Sequence, residues 1–216
     1  MQTVIRHCRV LIIVLGAALT AGRTSGVAFA RDHLDGFDSA QTSWTVSYEK
    51  SEVKVLSHRR LTHATYAGPA CEAFEWTCLA DQSVARAELA IPPARVIDEL
   101  TASLWIRSNR DGAQLAVRVV FPQQKLPGSN DLLAVVIDGD RYAAPGTWQQ
   151  LSCRNISAEI RRKLPQLRSR LLRGSDQRKD LNLAGLYIDR IYIRSPLARG
   201  TVELFVDELK IGPIVS

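Results

Sequence analysis

Trp105 and Arg107 stand two apart in Thr101-Ala-Ser-Leu-Trp-Ile-Arg107. Side chains of an extended strand alternate between its faces. Ala102, Leu104 and Ile106 therefore make one apolar face, and Ser103, Trp105 and Arg107 the other. The run from Gln114 to Phe121 repeats the pattern: Leu115, Val117, Val119 and Phe121 share a face and Arg118 looks away from it. Arg190 and Tyr192 share a face of a later run. A flat ring and a planar fork of N–H donors are the groups that hold a ring-shaped polyol, the first against its apolar face and the second on its oxygens. A face with Trp105, Arg107, Arg118 and Tyr192 would suit a glycan, and an acidic one in particular. Tyr66 and Tyr142, both in loops, are the alternative site. The competing expectation is that another part of the chain covers Trp105, as large rings are mostly buried.

Catalytic patterns are missing. The sequence has no His-Glu-x-x-His, Cys-x-x-Cys, Gly-x-Ser-x-Gly or phosphate-loop run. His58 and His63 are five apart, on opposite faces of one strand, and read as polar surface groups. A carboxylate pair for glycoside cleavage needs two acids on one face, whereas Asp207 and Glu208 are adjacent and point oppositely. A non-enzyme is expected. The enzyme alternative is a polysaccharide lyase-like sandwich with Arg, Tyr and His on one face.

The charge is uneven. Residues 1–30 hold Arg6, Arg9 and Arg23 of the 28 basic residues and none of the 22 acidic ones, which leaves a net +3 for residues 31–216. Nine basic residues fall between Arg154 and Lys179, against Glu159 and Asp176. This local excess excludes a global nucleic-acid footprint but makes a basic patch. In the same segment Ile156, Ile160, Leu164, Leu167 and Leu171 recur at helical spacing. Ser157 is expected as the N-cap, and Pro165 is expected to kink or split the helix. The apolar stripe must be buried, which turns Arg161, Arg162, Lys163, Arg168 and Arg170 outward. They form either a solvated face or a polyanion-binding strip.

These groups need elements to position them. The rest of the chain reads as nine or ten short strands separated by turn residues: Asn109-Arg-Asp-Gly112, Pro127-Gly-Ser-Asn130 and Asp138-Gly-Asp140. Pro92-Pro93 and Pro122 are expected to end their strands, and Leu132–Ile137 is expected to be buried on both faces. The fold class expected is all-β, an antiparallel β-sandwich (jelly roll) with one inserted amphipathic helix in a basic segment, 154–180.

Residues 1–30 have the pattern of a signal peptide: Arg6 and Arg9, an uncharged run from Val10 to Gly22, then Ala28-Phe-Ala30. The expectation is one secreted or periplasmic (cell-envelope) domain over residues 31–216, with no transmembrane segment after cleavage. Cys71, Cys78 and Cys153 then remain. Seven extended steps put Cys71 about 23 Å from Cys78, too far for a disulfide. One of them pairs with Cys153, or all three are buried thiols.

Five landmarks in order carry a resemblance: Gly36-Phe-Asp38 before Trp44, Ala67-Gly-Pro-Ala-Cys-Glu-Ala-Phe74, Ser103-Leu-Trp-Ile-Arg107, Gly146-Thr-Trp-Gln-Gln-Leu151, and Thr201-Val-Glu-Leu-Phe-Val-Asp-Glu-Leu-Lys-Ile211. The chain resembles carbohydrate-binding modules of the jelly-roll, galactose-binding-like type, as found attached to glycoside hydrolases, over residues 34–213. The basic segment is extra to that pattern. The resemblance implies a non-catalytic binder of a polysaccharide or glycan, of an acidic or plant/algal type. It also implies that Trp44 and Trp148 are core residues and that first and last strands pair. A structural Ca²⁺ between Asp38 and Asp207 is a further implication. The structural alternative is an envelope or adhesion module that contacts polyanions through its basic helix.

Overall fold

The computed structural model describes residues 31–48, 53–79, 83–126, 128–172, 181–197 and 199–215. The expected signal peptide lies outside the described residues, as do 173–180 of the basic segment and the Arg170 side chain. Eleven strands and one helix form among the described residues. In chain order they are β1 (Arg31–Asp35), β2 (Thr45–Tyr48), β3 (Val53–Leu61), β4 (Cys71–Cys78), β5 (Ser83–Arg95), β6 (Thr101–Ser108), β7 (Gln114–Lys125), β8 (Leu132–Arg141), β9 (Gln149–Cys153), α1 (Ile156–Leu172), β10 (Tyr187–Leu197) and β11 (Gly200–Ile214).

The strands make two antiparallel sheets. One runs β3-β4-β11-β6-β9, with β1 added along β11, and the other runs β2-β5-β10-β7-β8. The protein is thus an all-β sandwich with one inserted helix. First and last strands pair as expected: Asp35 lies opposite Leu209 and Arg31 opposite Ile214. Alternation builds the core between the sheets. Ala102, Leu104 and Ile106 of β6 face Leu115, Val117, Val119 and Phe121 of β7 within one apolar cluster, and all seven are fully buried. Trp76 and Phe74 enter the same cluster from β4. Burying a side chain of this size stabilises by about 1.5–3 kcal/mol.

Several local expectations are corrected. Pro92 and Pro93 do not end β5. The ladder shifts between Ile188 and Arg190, and pairing resumes with Ala94 opposite Ile188, so the prolines sit in a bulge where no ladder donor is needed. Pro122 likewise lies within β7, in a shift between Phe121 and Lys125. Leu132–Ile137 is not buried on both faces. It belongs to an edge strand in which Leu133 and Ile137 are buried while Leu132 and Ala134 are exposed.

The helix starts two residues early. It begins at Ile156, and the Asn155 carbonyl accepts the Glu159 N–H at 3.0 Å, so Asn155 and not Ser157 holds the cap position. Pro165 does not split it, as 17 residues remain one element. Ile156, Ile160 and Leu167 are buried, and Lys163 donates from Nζ to the Val136 carbonyl of β8 at 2.9 Å. The apolar stripe thus seats α1 against β8 and leaves the outer face of the β6 sheet open to other groups. Cys71, Cys78 and Cys153 are buried thiols, the second of the two alternatives. Burial pushes the Cys71 thiol up to about 11 and the Cys153 thiol up to about 12, and for Cys153 the nearby Asp138, Asp140 and Glu159 carboxylates add to it.

Candidate functional site

Hydrogen-bond register carries particular side chains to the outer face of the first sheet. Arg59 of β3 lies opposite Ala73 of β4, Ala73 opposite Phe205 of β11, and Phe205 opposite Arg107 of β6. Trp148 precedes β9, in which Gln149 is paired with Ile106. One row across the sheet therefore reads Arg59, Ala73, Phe205, Arg107, Trp148. The next row holds Leu61, Cys71, Asp207, Trp105 and Gln150.

Rings and guanidinium meet in these two rows. The Arg107 Cζ lies 4.5 Å from the Phe205 ring centroid and 5.4 Å from that of Trp148. Tyr66, from the β3–β4 loop, stacks on Trp105 with centroids 3.7 Å apart and planes 15° apart. It meets Trp148 edge-on at 5.9 Å. Tyr66 is 43% exposed, so the cluster opens to solvent at that ring. A groove of about 60 Å³ adjoins it, lined by Ser57, Arg59, Leu61, Glu75, Glu203 and Phe205 among others.

Asp207 holds the loop that carries Tyr66. Its Oδ2 accepts the Tyr66 and Ala67 N–H groups at 2.8 and 3.1 Å, and its Oδ1 accepts the Glu208 N–H at 2.9 Å. A bulge makes this possible. Glu208 has φ 49°, and the register against β6 shifts between Asp207 and Lys210. Burial raises the Asp207 pKa above the usual carboxylate value; the three amides oppose this, and the charge of Asp38 adds to it. Asp38 itself is exposed and reaches the same loop. A Cβ on Gly68, whose φ is +65°, would lie 3.1 Å from Asp38 Oδ1.

Ca²⁺ takes six to eight oxygen ligands. Both Asp207 oxygens already accept amides. No group of three or more His, Cys, Asp or Glu placed for a metal occurs among the described residues. The residues around Asp38 and Asp207 do not fit the ion expected there.

A second polar centre lies on the inner side of β4. Glu72 is fully buried and accepts the Ser43 and Trp44 N–H groups, each at 3.0 Å. His58 Nε2 lies 2.5 Å from one of its oxygens and Arg60 Nη1 lies 2.8 Å from the other. Arg60 also donates from Nε to the Gln41 carbonyl and from Nη2 to Ser43 Oγ. The guanidinium thus ties the segment between β1 and β2 to the sheet, and its Cζ lies 4.9 Å from the Phe37 ring centroid. His58, read as a surface group, instead faces inward and stacks on Phe74 at 4.7 Å. His63 is exposed, beyond the end of β3.

The expected binding face divides. Trp105 and Arg107 lie on the outer face of the first sheet, joined there by Tyr66. Arg118 and Tyr192 lie on the opposite outer face, because β7 and β10 belong to the second sheet. There Arg118 is paired with Asp189 at 2.5 Å, and Tyr192 is buried with Arg86 over its ring at 5.3 Å. Tyr142 is not a loop site residue. It is 1% exposed, and its hydroxyl is surrounded by the Ser108, Ala144 and Thr147 carbonyls. Trp148, expected in the core, is half-buried on the outer face beside Arg107. Trp148 and Phe205 are the members that sequence reading missed. Strand alternation could have found Phe205, which shares a face with Thr201, Glu203 and Asp207.

No protein-family model matches the chain. Nor does any curated protein match its sequence. The solved structures it resembles include carbohydrate-binding modules. One, described in a study of promiscuous specificity in the β-sandwich superfamily, has 12% identity and a TM-score of 0.49, with 86% of this chain and 63% of that chain covered. The family 11 module of a cellulosomal cellulase from Clostridium thermocellum has 14% identity and a TM-score of 0.47, covering 88% and 97%. A module in complex with β-1,4-galactotriose has 16% identity and a TM-score of 0.37, covering 82% and 94%. This chain thus spans less than two thirds of the first of these. At such scores the likenesses assign no ligand. Among the described residues no helix is long and apolar enough to cross a membrane.

Proposed function

We propose that this protein is an exported carbohydrate-binding protein that holds its ligand without cleaving it, on the outer face of the β6 sheet. One observation carries this reading: Tyr66, Trp105, Trp148 and Phe205 are gathered around Arg107 on a sheet face rather than in the core. Half-buried rings at a surface leave apolar area in water, which a sugar face covers at little entropic cost. Polar groups border the rings: Arg59, Glu75, Glu203 and Gln150 supply donors and acceptors for hydroxyls. His58 is engaged by Glu72 on the inner side, away from Tyr66 and Arg107, so it does not combine with them for lyase chemistry.

Isothermal titration of the purified protein with glycans selected on an array tests the reading. Trp148→Ala is expected to weaken binding on the order of tenfold or more, as for stacking rings at binding sites. Tyr192→Phe on the other sheet leaves it unchanged. Binding that ignores both Trp148 and Trp105 would refute the assignment to this face.

A further inference from the structure

The half-buried arginines of the two sheets follow a rule. Arg60 lies 2.8 Å from Glu72, Arg118 2.5 Å from Asp189 and Arg190 2.8 Å from Glu88. Arg86 also faces Glu88, and Arg194 pairs with Asp138. Arg107 is the exception. It is half-buried like the others, yet none of the ion pairs or side-chain hydrogen bonds among the described residues includes it. Its contacts are Phe205 and Trp148, whose rings lie within 4.5 and 5.4 Å of Cζ. Rings attract a guanidinium but accept few of its N–H bonds. A guanidinium carries five donors in one plane and cannot lose its charge. Arg107 is therefore held in place with its donors unspent. Arg59, in the same row and exposed, has no carboxylate partner among the described residues either.

We infer that Arg107 is the anchor for an acidic group of the bound glycan, a carboxylate or a sulfate ester, with Arg59 as a second cation three strands away. This rests on the proposal that the face binds carbohydrate. The planar fork suits a two-oxygen anion, and the flanking rings lower the local exposure to water, which strengthens the pairing. Glu75 and Glu203 lie opposite each other one step along the sheet. They repel an anion there and accept hydroxyls instead. The acidic groups are thus confined to the Arg59–Arg107 row and neutral parts of the chain to the next one. The face reads an alternation of charged and uncharged positions, which an uncharged polysaccharide lacks.

The experiment uses the full chain with Arg161, Arg162 and Arg168 replaced by Gln, which removes the charges that the helix exposes among the described residues. It is titrated with a uronate oligosaccharide and its carboxyl-reduced form, with a sulfated galactan oligosaccharide and its desulfated form, and with polyglutamate. The acidic member of one pair is expected to bind on the order of tenfold more tightly than its neutral form. That pair identifies the anion. Arg107→Gln is expected to bring the ratio close to one, and Arg107→Lys to recover part of it. Melting curves report that each variant is folded. A ratio unchanged in Arg107→Gln overturns the anchor and leaves carbohydrate binding standing. Polyglutamate binding as tightly through Arg107 overturns the glycan as occupant. If no oligosaccharide binds, or if only Trp105→Ala removes a binding that is indifferent to charge, the first outcome ends both proposals and the second ends this one alone.

Discussion

Tyr66 and Trp105 lie face to face, 39 residues apart in sequence, with ring centroids 3.7 Å apart. The contact exists because Asp207, the cross-strand neighbour of Trp105, accepts the Tyr66 N–H. The backbone clasp and the ring stack thus form a closed circuit of three residues.

The stack itself is expected to contribute to stability. Urea unfolding of Tyr66→Ala, Trp105→Ala and the double variant should give a coupling of about 0.5–1.5 kcal/mol, the range for aromatic pairs. A coupling of zero would mean that the rings are adjacent without being bound to each other.

Asp207 links stability to pH. Burial raises its pKa in the fold above the usual value. The native state then holds the proton more tightly than the unfolded chain, so the Asp207 contribution is greatest in acid and falls as pH rises through the raised pKa. The stability difference between the protein and Asp207→Asn should therefore shift against the native Asp as pH climbs from the ordinary aspartate range. Unfolding measured at several pH values checks the sign, and a difference that grows with pH would contradict it.

Ca²⁺ between Asp38 and Asp207 has a separate test. A ligand bound only by the native state raises the melting temperature by mass action. With amides already on both Asp207 oxygens, neither chelator nor added Ca²⁺ is expected to move the melt. A rise with Ca²⁺ that Asp207→Asn abolishes would restore the ion.

The helix strip should retain the protein weakly on heparin-like resin. Arg161, Arg162 and Arg168 are exposed, and Arg162 shares its charge with Glu159. Retention should fade with added salt, since neutralised counterions are then released to less advantage. Replacing the three by Gln should abolish it, at a cost of only about 0–1 kcal/mol in stability. Retention indifferent to salt or to these changes would leave the strip a solvated surface.

Much of this architecture follows from alternation. The parity of 102–107 and 115–121 placed every core residue of β6 and β7 on the correct side, and strand spacing indicated the sandwich. Parity says which face of a strand a residue takes but not which sheet the strand joins. That is why Trp105 and Arg118 read as neighbours and stand on opposite outer faces. Tyr142 misled for a different reason. Its position beside turn residues suggested exposure, but a phenol can enter a core when carbonyls receive its hydroxyl, and here three do. The prolines of β5 and β7 look like strand ends in the sequence because a bulge leaves no trace in composition. The Asp207 clasp joins residues about 140 apart, and no local pattern announces such a contact.

The order of the strands has a consequence for how the chain comes together. β11 lies between β4 and β6, and β10 between β5 and β7. The middle of each sheet is thus made last as the polypeptide grows. Until residues 187–214 emerge, β4 and β6 have no partner to join them, and neither do β5 and β7. The earlier hairpin of β3 and β4 can close alone, but most pairings must wait for the end of synthesis, the regime of slow, non-local assembly. A chain stopped before β10 would therefore present several unpaired edges at once, whereas one stopped after it would lack the centre of only one layer.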